Sequence, residues 1–488
     1  MSINLPRIMV VFQDNLFHHL PKFSMADSIR QQMFTDLTSR HIFDQARQYA
    51  FAYVDESFER NVYPTEEALA NLQQFEEDFP ATPTPASDVL EFLHTHGSPA
   101  TVTQTAGRYF GFVHGGAIPA ALAAKWLADF WDQSSSLYVA SPIAAKLEEV
   151  VEKWLAQLLK LPAHTAAGFV TGSFAATFCG LAAARYRLLQ RAGWDVNEQG
   201  LFGAPPLRIV TGRQVHSSVL KAISLLGLGK SIIEWVDVDE QGRILADQLP
   251  PLDAKTIVIL QAGNVNSGAF DEVVRICQKA HQVGAWVHID GAFGLWARAV
   301  DAFSHLTEGI ELANSWSVDG HKTLNVPYDC GIVLCEDREA LVSALHMSGS
   351  YLVLSEARDG MFYTPDMSRR ARVIELWAAL KYLGQTGVEA LVYGLHLRAV
   401  QFAQELTDAE FTILNDVVFN QVLVCCASDE ATIQVLAKVQ ALRECWCGGS
   451  VWQGRSVIRI SVCSWATTAE DVSRSVRSFI QARTLITT

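Results

Sequence analysis

Apolar and polar positions fall into three rhythms along the chain. Up to about residue 100, MADSIRQQMFTDLTSRHIFDQARQYAFAYVDES carries apolar side chains at helical spacing and predicts helices, and the proline-rich FPATPTPAS after it reads as a linker or wrap-around arm. From about residue 140 to 345 the texture alternates. SPIAAKLEEVVEKWLAQLLKL is an amphipathic helix, after which the short apolar runs GFVTG, LRIVTG, SIIEWVDV, TIVILQAG, AWVHIDG, SWSVDG and CGIVLCE are separated by helical segments. Strands without a polar face, joined through helices, predict an α/β domain with a mainly parallel, seven-stranded sheet covered on both sides. Beyond about residue 365 the helix RRARVIELWAALKYLGQTGVEALV leads to VVFNQVLVCC and SVIRISVC with more helix between them, the pattern of a small α+β domain. The expected division is a helical segment over 1–100, a large domain over 101–355 and a small C-terminal domain over 356–488. No internal repeat or low-complexity segment interrupts it.

Composition narrows the partners. With 488 residues, 49% of them apolar, the chain exceeds one ordinary domain and can fill a large core. A formal charge of −14 without any block of Lys or Arg argues against sequence-independent attraction to nucleic acid or anionic lipid, so a small-molecule partner is expected. Nine cysteines, an odd count with no CxxC pair, suit reduced thiols rather than a disulfide framework or a structural zinc site. The apolar run in MSINLPRIMVVFQDNLFHHLPKF is too short and badly flanked for a signal peptide, and no later run reaches membrane-spanning length. These features predict a cytoplasmic protein with neither a nucleic-acid nor a membrane partner.

Four features fall at or just beyond predicted strand ends in the middle domain, where open α/β sheets bind ligands. In GFVTGSFAATFCGLAAAR a strand turns through Thr171, Gly172 and Ser173 into a helix whose first turn includes Phe174. Hydroxyls and exposed backbone N–H groups at a helix start suit a phosphate. A serine-hydrolase elbow fits poorly, because Ala175 stands where that tight turn wants glycine. In TGRQVHSSVLKA, His216 lies between a strand and a helix, where its plainer role is beside a helix cap. AWVHIDGAFG ends a buried strand on Asp290, a carboxylate that needs a cationic or donor partner. His288 and Asp290 would share one face of that strand with no third ligand nearby in sequence, so a metal is only a minor option. In SVDGHKTLNV, Asp319, His321 and Lys322 follow another strand. A Lys there is ordinarily a solvated charge, whereas a Lys held near a phosphate, a His and a buried Asp is a candidate Schiff-base nucleophile.

One cofactor accounts for all four features. Pyridoxal 5'-phosphate needs a Lys to capture its aldehyde, a carboxylate on its ring nitrogen, a phosphate cradle and a flat group over its ring. On this reading Lys322 is the amine and Asp290 the carboxylate. Ser173, the amides of the turn from Thr171 to Phe174, and His321 cradle the phosphate, while His216 stacks on the ring. Asn264, Ala292 and Asp319 complete the cofactor-binding candidates.

These motifs resemble those of a known family, the group II pyridoxal-phosphate-dependent amino acid decarboxylases. HIDGAFG is similar to the family's His-Val-Asp-Ala-Ala segment, DGHK to its Asn/Asp-Pro-His-Lys, and QAGNVNSGAFD to its Ala-Gly-Thr-Thr stretch ending in Gly-Ala-Phe-Asp. SRRARVIELWAALKYLG and the spacing from Asp290 to Lys322 also resemble the family, and the likeness runs from about residue 95 to SVIRISVCSWATTAEDV. The resemblance implies the fold-type-I, aspartate aminotransferase-like architecture, an N-terminal segment used in dimerisation, and a homodimer with active sites at the subunit interface. It also implies decarboxylation of an L-amino acid to its amine and CO2.

Departures bear on the substrate more than on the fold. Gly320 stands where the family usually has Pro, Ala175 where it often has Glu, and Asn264-Val265 where it has a Thr pair. The family's loop after the Lys carries a Tyr that returns a proton to carbon, and here GSYLVLSEARDGMFYTPDMSRR offers Tyr363, which joins Lys322 and His216 as a catalytic candidate. Without a well-placed donor the same cofactor runs transamination, oxidative deamination or aldehyde formation, and a catalytically silent relative is a further alternative. Arg459, in SVIRISVC, falls where the resemblance places an Arg near the substrate; pairing with an acidic neighbour is its plainer role. Within AGRYFGFVHGG, Tyr109, Phe110 and Phe112 are candidate walls for an aromatic or apolar substrate side chain, with core packing expected for at least one. His114 is placed to meet the cofactor from a partner subunit.

Overall fold

The computed structural model describes residues 21–487 apart from 347, 348, 350, 351, 353 and 355. It falls into two compact units, one reaching Glu59 and resuming over Pro64–Thr101, the other formed by Arg60–Tyr63 and the chain from Val102 onward. The first unit contains helices α1 (Pro21–Ser39), α2 (His41–Ser57), α3 (Glu66–Asn71) and α4 (Ala86–Phe92). Thr65 starts α3 by accepting the Ala68 N–H at 3.2 Å, and Pro85 precedes α4 with the φ that a helix entry wants. A short 3₁₀ turn, Leu72–Phe75, follows α3, and the proline-rich stretch after it has no regular structure before α4. On α1, Met33, Phe34 and Leu37 are 65%, 56% and 54% exposed, so this helix buries little of its apolar side.

The second unit opens with α5 (Pro119–Trp131) and α6 (Pro142–Leu158) and then builds the central sheet. Its strands are β1 (Ala166–Val170), β2 (Arg208–Gly212), β3 (Ile233–Val236), β4 (Thr256–Gln261), β5 (Trp286–Asp290), β6 (Ser315–Asp319) and β7 (Gly331–Cys335). Between them run α7 (Ser173–Arg191), the short α8 (Val196–Gln199), α9 (Ser217–Leu225) and α10 (Val273–Val283), and α11 (Arg338–Leu345) follows β7. The order is β1-β7-β6-β5-β4-β2-β3. Neighbours from β3 to β6 are parallel, while β7 is antiparallel to both β6 and β1. This is the mainly parallel seven-stranded sheet that the run of apolar strands predicts. Strands β1, β4, β5, β6 and β7 are buried at every position, as strands covered on both faces must be. Fully buried Phe169, Leu155 and Leu188 pack on the two sides of the sheet, each contributing about 1.5–3 kcal/mol by leaving water.

One reversed strand has a large effect on the site. Because β7 opposes both neighbours, β1 and β6 run the same way, and the turn after β1 emerges at the same sheet edge as the ends of β5 and β6. Gly331, at the start of β7, pairs with Val170 on one side and Asp319 on the other. A Cβ there would sit 2.4 Å from Gly172 Cα, so only glycine lets the turn after β1 cross over this strand.

The remainder forms a four-stranded antiparallel sheet, β8 (Thr412–Ile413), β9 (Gln421–Cys425), β10 (Gly448–Trp452) and β11 (Arg455–Ser461), in the order β10-β11-β9-β8. It packs with α12 (Val373–Asp408), α13 (Asp429–Leu442) and α14 (Ala469–Thr487) around Phe402, Val424, Ile458 and Phe479. The long α12 is broken at Gly384, whose φ of +60° lies in the left-handed region that glycine tolerates. All nine cysteines are free. Among the described residues no helix is long and apolar enough to cross a membrane.

Candidate active site

The ends of β1, β5 and β6 gather Thr171, Gly172, Ser173, Asp290, Asp319, His321 and Lys322 into one place. Asp319 closes β6, and its Oδ2 lies 3.0 Å from Lys322 Nζ and 3.6 Å from His321 Nε2. The His321 ring is fixed from behind, because Nδ1 accepts the Cys330 N–H at 3.0 Å. Asp290 closes β5, is buried, and accepts the Ala292 N–H at 3.1 Å on Oδ1. The Ala292 carbonyl in turn accepts the Asp319 N–H at 2.9 Å, so one short turn sets the spacing of the two acids. The turn through Thr171, Gly172 and Ser173 lies against them: a Cβ on Gly172 would stand 3.5 Å from His321 Cε1 and 3.6 Å from Asp319 Oδ1.

His216 does what the plainer reading expects and more. Its Nδ1 accepts the Ser218 N–H at 3.3 Å and caps α9, which fixes the ring. The same ring feels Asp290, Lys322, Arg459 and Asp319, and burial, the strongest influence, lowers its pKa. Burial likewise raises the Asp290 carboxyl, opposed by His216 and Lys322. A carboxylate in this position depends on cations for its charge. Arg459, on β11, is half-buried, and among the described residues it has no carboxylate within ion-pair distance. Its Nη1 donates to the Val265 carbonyl at 3.2 Å and its Nε has no partner, so the acidic neighbour expected for a plain strand Arg is absent among the described residues.

The segment 106–117 forms a wall against the Lys322 turn. Gly115 donates its N–H to the His321 carbonyl at 3.3 Å, and a Cβ on it would fall 2.1 Å from the Lys322 carbonyl oxygen. Asn325 joins the pieces. Its Oδ1 accepts the N–H groups of Gly116 at 2.5 Å and Trp465 at 2.9 Å, and its Nδ2 donates to the Thr323 and Cys463 carbonyls at 2.8 and 2.9 Å. Tyr109 stacks on Trp446 with centroids 5.3 Å apart, Phe112 stacks on the same indole at 5.9 Å, and His114 meets Tyr109 edge-on at 5.6 Å. Sequence reasoning missed Trp446 and Tyr328. The only available signal for Tyr328 was its place in NVPYD, on the connection that leaves Lys322.

Four predicted residues are placed otherwise. Tyr363 is the main correction. Its hydroxyl accepts from Arg338 at 2.9 Å, its ring lies 3.8 Å under the Arg358 guanidinium, and its backbone packs on Gly168 in the middle of β1. Arg338 starts the helix after β7, and since β7 runs opposite to β6, that helix start lies at the sheet edge away from Lys322. We expect Tyr363→Phe to lose about 1 kcal/mol of stability or less and to hold kcat within about threefold, as measured by thermal unfolding and steady-state turnover. Asn264 is a second correction. Its Oδ1 accepts the Asn266 and Ser267 N–H groups at 2.9 and 3.3 Å, closing its own turn, and its buried Nδ2 lies beside Gly242 without a hydrogen-bond partner among the described residues. Phe110 is core, edge-on to Phe402 at 4.8 Å, so core packing claims this one of the three aromatics. Phe174 lies under Lys221 Nζ at 4.7 Å, at the margin of the core on the α7 side, which leaves only its backbone for the turn.

Comparison with known proteins decides what this cluster belongs to. Residues 69–427 match the model of the pyridoxal-dependent decarboxylase conserved domain. The chain belongs to the pyridoxal-dependent decarboxylase family. It is 27% identical over 393 residues to an L-2,4-diaminobutyrate decarboxylase of Rhizobium meliloti, covering 76% of each chain. It is 28% identical over 372 residues to an aromatic-L-amino-acid decarboxylase of Drosophila lebanonensis, covering 69% of this chain and 89% of that one. Among solved structures, Oryza sativa TDC with PLP and tryptamine superposes with a TM-score of 0.85 at 21% identity, over 93% of this chain and 98% of the other, a likeness of fold. As a member of this family the protein is a pyridoxal-phosphate-dependent carboxy-lyase.

The residues present fit that cofactor. Asp319 Oδ1 and Arg459 Nε are buried polar atoms without a partner among the described residues, and both belong to the cluster around Lys322 and His216. Buried polar atoms are rarely left unpaired in proteins, and an anionic, nitrogen-bearing ring compound answers both an acceptor and a donor. The glycine contact of Gly172 with Gly331 also keeps the strand-end turn clear of side chains, as close approach of a phosphate requires.

Proposed function

We propose that the protein removes the carboxylate of an L-amino acid as CO2 and releases the amine, using pyridoxal 5'-phosphate carried on Lys322. One observation supports this reading most: Lys322 Nζ stands 3.0 Å from Asp319 Oδ2 inside the cluster that also holds Asp290 and His216, in a chain of this family. When bound, pyridoxal phosphate supplies an electron sink for the bond broken at the substrate α-carbon. Lys322 contributes the amine that carries it, and Asp319 keeps that amine at the sheet edge. Asp290 holds a proton on the ring nitrogen, where a buried carboxylate gains the cation it otherwise lacks. The hydroxyls of Thr171 and Ser173, the amides at the α7 start and His321 take the phosphate. His216, oriented by its bond to Ser218, covers the ring. Arg459, a half-buried guanidinium without an acid among the described residues, draws in the substrate carboxylate.

The proposal includes a homodimer. On α5, Leu127 and Trp131 are 56% and 47% exposed, and Tyr138, Val139 and Ile143 continue this apolar band, more than a single chain ordinarily leaves to water. The family resemblance implies that a second copy covers it. Nine free thiols suit a reducing compartment, and the cytoplasm is the site we propose.

The test is a panel of carboxyl-labelled L-amino acids supplied with and without a keto acid. Equal yields of CO2 and amine that need no keto acid are expected. A keto-acid requirement with retained carboxyl label would replace this function with transamination.

A further inference from the structure

Beside the Asp290 carboxylate lie two buried hydroxyl groups that the chemistry above leaves without a task. Ser317 on β6 pairs directly across from Asp290 on β5. Its Oγ lies 3.5 Å from Asp290 Oδ1 and 2.9 Å from Thr177 Oγ1, on α7. All three side chains are buried. The helix reaches this far because Gly180, one turn after Thr177, puts no Cβ between α7 and the sheet, where one would stand 2.8 Å from the His288 ring. That close approach lets two short side chains meet.

Chemistry fixes the direction of these bonds. An ionised carboxylate only accepts, so the Ser317 hydrogen is directed to Asp290, and the Ser317 oxygen in turn accepts the hydrogen of Thr177. The Ala292 N–H also ends on Oδ1, at 3.1 Å. Both donors therefore meet one oxygen, and Oδ2 accepts no hydrogen bond among the described residues. Other groups act on Asp290 as charges: His216, at the start of α9, and Lys322 favour its ionised form, and Asp319 opposes it. His288 shares a face of β5 with Asp290, but burial pushes its pKa down to about 3 and its Nδ1 is bonded to Ser315 at 2.8 Å, so it brings no charge.

We propose that Ser317 and Thr177 are positioning residues, a hydroxyl relay that pins Oδ1 of Asp290, keeps the carboxylate ionised and leaves Oδ2 for the ring nitrogen of the cofactor. This inference rests on the assignment of Asp290 to that nitrogen and not on the identity of the substrate. A hydrogen bond donated to the charged form favours that form, and a single bond to a buried charge changes an equilibrium about tenfold.

The test measures the dissociation constant of pyridoxal phosphate by equilibrium dialysis as a function of pH. Ser317→Ala is expected to bind the cofactor about tenfold more weakly. The acidic limb of its affinity profile should move up by about one pH unit, because the lost donor raises the Asp290 pKa and the carboxylate takes its proton sooner as pH falls. Thr177→Val, which keeps the volume and removes the hydroxyl, should shift the limb the same way with a loss of about threefold. Thr177→Ser, which keeps the hydroxyl, should bind within about twofold of wild type. If Ser317→Ala does not fold, the two Thr177 variants carry the test. On an Asp290→Asn background Ser317→Ala should add less than about twofold, since the amide has no charge for the relay to hold. A full loss added to that background, or weaker binding with the acidic limb unmoved, would overturn the inference. An Asp290→Asn protein that binds as wild type at every pH is a different signature, and it removes the assignment of Asp290 together with the relay built on it. Failure of every amino acid to release CO2 would end the decarboxylase reading while the binding results kept the relay in place.

Discussion

Lys322→Ala is expected to abolish turnover, by at least about a thousandfold, and to leave a protein that folds normally and holds pyridoxal phosphate only reversibly. Only 20% of the Lys322 side chain is exposed, and its one described ionic partner is Asp319, so its removal opens no large hole in the core. What it does remove is the amine on which the chemistry is built. The measurement is a pair of readouts: product formation, and cofactor mass retained on the chain after borohydride reduction and denaturation. Wild-type protein should carry the added mass at Lys322 and the variant none. Normal turnover by the variant would end the proposal for this site.

Asp290→Asn should separate function from stability. Burial raises the Asp290 pKa in the cofactor-free protein, against the pull of His216 and Lys322. A carboxyl whose folded pKa exceeds its unfolded value stabilises the fold below the unfolded pKa, and that contribution is lost as pH rises through the folded pKa. Above the ordinary carboxylate range Asp290 therefore costs the cofactor-free protein stability, and Asn removes the cost. We expect the variant without cofactor to melt at the same temperature as wild type or higher at pH 7 to 8. With cofactor supplied, activity should fall by about a hundredfold or more, because a neutral amide does not keep the ring nitrogen protonated. A variant that melts lower and keeps its activity would show Asp290 to be a structural acid.

Much of this architecture was legible in the chain because strands buried on both faces cannot afford polar positions, and the seven apolar runs stand out for that reason. The reversed direction of β7 was not legible, since CGIVLCE is as apolar as its parallel neighbours. That Asp290, Lys322 and His216 come together was legible because charge at the end of an apolar strand demands a partner, while their roles remain the proposal made above. Tyr363 misled because it was chosen by likeness to the Tyr of the family's loop after the Lys, whereas Arg338 and Arg358, contributed by separate segments, claim its hydroxyl and ring. Asn264 misled because a carboxamide in a turn can satisfy neighbouring amides as readily as a ligand. Tyr328 and Trp446 carried no pattern of their own, since their importance comes from contacts between segments far apart in sequence.

The Asn325 carboxamide ties three distant segments together. One side chain grips the wall at Gly116, the C-terminal segment at Trp465 and Cys463, and the turn that carries the lysine at Thr323. Those stretches of backbone are riveted into a single frame that holds the distance between amine and wall, which leaves adjustment to guests of different bulk to exposed rim rings such as Phe112.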